Sequence, residues 1–435
     1  MQVDIEWEDA PGVRDRVLAA TWGRLAIRVG TACVTELLDL RSSSRRTAVY
    51  GSAFPLAEWV VEHWWHLLHE PCPTSPVVSA REARAWMRPT LQRHGILSAR
   101  DGGALPDLSI WSDGPECILR WDADPPTSRG ARVRFVSQGQ AHLPTSDVQA
   151  GLTALVNQVI GRLEALGLHD DEDARRLQAA WSAVASSMAE EPVVCRRLAL
   201  LGLDPYDPDE ATDEVIALME RGASLMPAVL VDDLLEATRP AQLYTDLAWV
   251  AAGARAVHAG RQARLSAGGG TAHEAGYAAA RATRDLLGLD QRCPVSDLRA
   301  ALVDGLGWSE EIERTHPAEV DLEAVVGWSA QKPLAIVPST RREAGSRFRL
   351  ARAAYLILTG AAAESPRLLS SAATRTQRAS RAFAAELLLP AAALGERLGG
   401  SISDSAIEEV ADEYRVSPLL VRHQIENHGI GSMEA

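Results

Sequence analysis

The chain has 435 residues, more than one ordinary core holds, so two or three domains are expected. Hydrophobic residues make up 46% and charged residues 23%, the mix of a folded chain rather than a disordered one. A formal net charge of −14 works against general binding to a phosphate backbone, which needs clustered Lys and Arg, but leaves room for a local basic face.

No apolar run reaches the roughly 20 residues that span a bilayer, so no membrane partner is expected. The opening residues MQVDIEWEDAPGVRDR are acidic, with neither a basic n-region nor an apolar h-region, and no secretory signal is expected. Cys33, Cys72, Cys117, Cys195 and Cys293 are odd in number, scattered, and form no CxxC. They read as reduced thiols in a cytoplasm, buried as small hydrophobes.

Residues 1–145 read as a mixed α+β domain of unknown role that holds eight of the twelve tryptophans. Arg24–Leu40, Cys117–Ala123 and Ala131–Ser137 suggest strands from their alternating or clustered β-branched residues. Pro55–Glu70 (PLAEWVVEHWWHLLHE) reads as one helix with proline in its first turn. Trp64, Leu67 and Leu68 would bury one side, leaving His63, His66 and Glu70 on the polar side. The 3 and 4 spacings of these three polar residues are also those of a metal-binding helix face. They therefore form the alternative candidate site.

Residues 146–265 read as a helical region. Ser146–Leu168 places Val148, Leu152, Leu155 and Val159 on one face. In Leu201–Glu220, Asp207 reads as an N-cap with Pro208 at the first helical position. The several Asp residues there lack the glycine and ligand spacing of a calcium loop. Ser266–Gly270 (SAGGG) reads as a linker.

The last segment, 271–435, opens with a helix over Gly276–Leu289, followed by an extended piece, Lys332–Thr340. Three strings then occur in order: RFRLARAAYLILTG (Arg347–Gly360), RAFAAELLLP (Arg381–Pro390) and AIEEVADEYRVSPLLVRHQIENHGI (Ala406–Ile430). In this order and with this layout the segment resembles the ImmA/IrrE family of zincin-like metallopeptidase domains. The resemblance covers roughly 160 residues. It implies an α+β zincin-like domain in which the first string carries HExxH. Two histidines one helical turn apart would hold a zinc ion, the glutamate between them would activate a water, and a third, acidic ligand would come from the helix of the second string.

This sequence departs from that pattern at every one of those positions. The first histidine position is Arg352, the glutamate position Ala353 and the second histidine position Leu356. No histidine lies between His316 and His423, and no Asp or Glu between Glu364 and Glu386. The expectation is therefore a degenerate copy without catalytic residue, metal or cofactor. Arg352 reads either as a guanidinium neutralising a carboxylate near the old zinc position or as a side chain snorkelling out of a disused cleft, and the second is preferred. The pair His273–Glu274 has no second histidine and reads as a surface pair.

The third string reads as a helix-turn-helix-like tail. Ser417 caps its second helix, Pro418 opens it and Gly429 closes it. Between Asp404 and His428 six acids face only Arg415 and Arg422, so nucleic acid is not the expected partner. What the resemblance implies is an inactive bacterial ImmA/IrrE-like module in the cytoplasm. It would act through a protein partner in stress response, mobile-element control or defence. An enzyme seated in the first domain and a DNA-binding regulator working through the tail are the alternatives. Partner identity and oligomeric state are not legible.

Overall fold

The computed structural model describes residues 1–10, 12–72, 90–100, 103–125, 132–260, 264–265, 270–308, 312–314, 322–338, 343–398 and 400–433. The expected linker Ser266–Gly270 falls, apart from Gly270, outside them. The chain is mixed α+β, as expected, with several small sheets that are mostly antiparallel. It divides into two units, Met1–Thr212 and Asp213–Ala435.

The boundary falls inside the helical region expected over 146–265. Helices Thr145–Ala165, Glu172–Glu190 and Pro192–Leu200 share one core with the N-terminal strands, so they belong to the first unit. Val148, Leu152, Leu155 and Val159 are all buried there, as their spacing predicts.

In the first unit, strand Trp22–Val29 pairs antiparallel with Gln2–Trp7, Ala32–Cys33 and Val49–Ser52. A second sheet runs in the order Gly139–Pro144, Glu116–Asp122, Asp107–Ser112, all antiparallel. Leu37–Asp39 joins Ser44–Arg46 and Val133–Phe135 in a third.

The expected single helix over Pro55–Glu70 is two helices, Phe54–Glu62 and Trp64–His69, broken at His63. The second has no solvated side, because it packs on both strand Asp107–Ser112 and helix Pro192–Leu200. Trp64, Trp65, His66, Leu67 and Leu68 are consequently all buried. A helix covered on opposite sides is apolar nearly all round, so the one-stripe reading of this segment fails.

The expected helix at Asp207 also starts later, at Asp213. The Asp207 carboxylate does accept from the Asp209 backbone N–H at 2.8 Å, but it closes an isolated turn.

The second unit is built on a four-stranded sheet in the order Ile312–Arg314, Lys332–Pro338, Leu322–Ser329, Arg367–Ser370. The first pair is parallel and the others antiparallel. Helix Glu343–Leu358 packs on this sheet and against helix Arg375–Leu388, which also packs along helix Ala272–Leu286. That last contact is close: a Cβ on Gly276 would lie 2.4 Å from the Ala379 carbonyl oxygen, so no larger residue fits. Thr271 and Glu274 form a reciprocal capping box, so Glu274 is committed to the helix start, and His273 lies exposed beside it.

The tail forms helices Asp404–Tyr414 and Pro418–His428. Ser417 accepts from the Leu420 N–H and Gly429 ends the second helix in the left-handed conformation, as predicted. Of the five cysteines, Cys117 and Cys195 are buried, Cys33 and Cys72 are half-buried and Cys293 is exposed. The small-hydrophobe reading therefore holds for two. Among the described residues, no helix is long and apolar enough to cross a membrane.

Candidate functional site: two buried arginine–carboxylate networks

Helix Glu343–Leu358 is buried along most of its second half, from Leu350 to Leu358. Arg352 lies in the middle of that stretch and is 0% exposed. The preferred snorkelling reading is thus overturned, since the guanidinium does not reach solvent. Instead its Nε donates to Ser380 Oγ at 3.0 Å and its NH2 to Ser370 O at 2.9 Å and Gln377 Oε1 at 2.6 Å. NH1 forms a short ion pair with Glu323, from strand Leu322–Ser329. Gln377 is in turn held by Leu368 O and by the Ser370 N–H. Every nitrogen of the guanidinium is engaged, which a buried charge requires.

The helical geometry brings Arg352 and Leu356 to one face, and Gln377 and Ser380 one turn apart on the facing helix. The arrangement therefore sets the first and second strings against each other. Its chemistry does not fit a zinc ion, however. Arg352 presents only donors, while Ala353 and Leu356 are 1% and 0% exposed and carry no ligand atom. The nearby Arg381 adds further positive charge. Burial and the neighbouring Arg352 lower it to about 10, and it donates to Ala372 O at 2.8 Å.

Glu386, the acid of the second string, faces away from this network. It is buried, and it accepts from Arg281 Nε at 3.0 Å and from the Ala391 N–H at 3.1 Å. It thereby holds the start of helix Ala391–Arg397 and joins helix Ala272–Leu286 to the second string.

The alternative site in the first unit is organised around Glu70, which is buried rather than solvent-facing. Arg93 grips both of its oxygens, Nε to Oε2 at 3.0 Å and NH2 to Oε1 at 2.5 Å. His94, fully buried and stacked on Trp111 at 3.9 Å, places Nε2 2.9 Å from Glu70 Oε2 and Nδ1 2.6 Å from Ile110 O. Both ring nitrogens therefore face an acceptor oxygen.

Burial alone would raise the Glu70 carboxyl. The hydrogen bonds from His94 and Arg93, with their charges, outweigh it and pull it down to about 2. A carboxylate so held is a weak base with no free oxygen, and it acts as a structural clasp.

His66 is buried beside it, Nε2 4.0 Å from Glu70 Oε2, and burial lowers its pKa to about 3. Burial likewise lowers His63 to about 4. The structure thus brings His66 near Glu70, whose two oxygens are engaged by Arg93 and His94. Arg93 and His94 of the first network, and Glu323, Ser370, Gln377 and Ser380 of the second, are the members that the sequence reading missed. Only Arg93–His94 beside an apolar run offered any signal, and a weak one.

On the tail, Arg422 donates to Asp404 at 2.9 Å, and Arg415 lies 3.9 Å from Glu343. Both arginines weighed for DNA contact thus lie beside acids. Compared with models of protein families and with curated proteins, the chain finds no match.

Proposed function

We propose that residues 271–435 are a zincin-like scaffold of the ImmA/IrrE type that has given up zinc chemistry, and that the chain works as a regulatory, protein-binding module. One observation carries this reading. Arg352, at the position of the first zinc histidine, is bound by Gln377 and Ser380 of the helix expected to supply the third ligand, and by Glu323. The scaffold's inner face is therefore closed by a neutralised guanidinium, an arrangement that stabilises shape and offers no activated water. The acidic tail, with its arginines beside carboxylates, favours a protein over a nucleic-acid partner.

The test uses the purified full chain with regulators encoded beside it. Expected is a stable complex in which the regulator stays intact, unchanged by chelators. Cleavage that a chelator abolishes, or zinc lost on substituting residues of helices Glu343–Leu358 or Arg375–Leu388, would overturn the reading.

A further inference from the structure

We propose that Asp113, Glu116 and His142, in the first unit, bind one divalent transition-metal ion, with zinc favoured over manganese or iron by the usual affinity order. This site is independent of the C-terminal unit. It is assembled by strand register. Strands Asp107–Ser112 and Glu116–Asp122 are joined through Gly114, whose φ of 81° suits glycine, and the Asp113 N–H donates to Glu116 O at 2.7 Å. The next strand pairs Pro144 with Glu116, Leu143 with Cys117 and His142 with Ile118. Because side chains alternate, Glu116 and His142 share one face as diagonal neighbours, while Cys117 turns to the core. The turn folds the Asp113 carboxylate back onto the same place.

His142 Nδ1 lies 3.8 Å from Asp113 Oδ2 and 3.9 Å from Glu116 Oε2, and the three ligand atoms are all within 4.8 Å of one another. The two His142 spacings are too long for hydrogen bonds. They are only slightly wider than the roughly 3–3.5 Å between two donors bound to one ion at about 2.0–2.2 Å. One imidazole and two carboxylates are a ligand set for a borderline ion, whose charge would neutralise both acids.

The Asp113 side chain is 0% exposed and forms the floor, whereas Glu116 and His142 are partly exposed and leave a side open for water. Gln140 contacts the other ring nitrogen, Nε2, at 3.2 Å. That contact is made by the Gln140 amide nitrogen, and it helps hold the ring in place. The Cys117 side chain is fully buried in the core on the opposite face, so sulfur is not part of the set.

Titration of the metal-free full chain with Zn2+, and with Co2+ as a spectroscopic probe, tests the site. One ion per chain is expected, with a cobalt spectrum of nitrogen and oxygen ligation. His142→Ala and Glu116→Gln should each weaken binding by roughly tenfold or more. Both positions are partly exposed, so these variants are expected to fold, and circular dichroism checks that they do. Two results would each overturn the proposal: no saturable binding at micromolar free ion, or unchanged affinity in both folded variants.

Discussion

The two buried networks solve the same problem from opposite ends. In the first unit the central buried group is a carboxylate, Glu70, and Arg93 and His94 converge on it. In the second the central group is a guanidinium, Arg352, and one carboxylate and three neutral oxygens converge on it. The central guanidinium keeps its charge at every accessible pH, whereas the central carboxylate, Glu70, titrates. The first unit should accordingly respond to acid through its clasp, as Glu70 takes up a proton. The comparison also explains why neither network is catalytic in form: each central group is saturated by its partners.

The largest effect expected is from Arg352→Ala. It strands Glu323, Gln377 and Ser380 around a cavity and should cost about 3–5 kcal/mol, read as lost denaturant resistance. Arg352→Lys should recover only part of this, because an ammonium cannot reproduce the planar fork. Full recovery by lysine would show that charge alone matters.

Glu70→Gln comes next, at about 2–3 kcal/mol, since Arg93 loses its counter-charge and the buried His94 its strong acceptor. A loss well below this would sink the clasp.

Acid should probe the first unit through His66 and Glu70. The folded pKa of His66 is lowered, so the stability it contributes is present above its unfolded value near 6.5 and fades as pH falls below it. That amounts to about 2 kcal/mol by pH 5. Glu70 is likewise lowered, and its contribution is lost only as pH falls from about 4 toward 2. Tryptophan fluorescence against pH should therefore show its earliest loss near pH 6, and His66→Phe should shrink that step, with His63 and His69 supplying the remainder. The smallest effect is Ser417→Ala, about 1 kcal/mol, from loss of the cap on helix Pro418–His428.

Periodicity and end signals made much of the secondary structure legible. The helix through Val148–Val159 and the capped tail helices were set by local spacing and by Ser, Pro and Gly chemistry, which the chain carries wherever it packs. The break at His63 was not legible. A helix buried on two sides looks like an amphipathic one until its neighbours are known.

By itself the sequence determined that Arg352, Ala353 and Leu356 cannot ligate zinc, because side-chain chemistry is intrinsic to residue type. What Arg352 does instead was decided by tertiary structure, through partners 18 to 29 residues away that only packing brings together. The same holds for Asp113, Glu116 and His142, whose meeting depends on a β-register. A one-residue slip would turn His142 to the opposite face of the sheet.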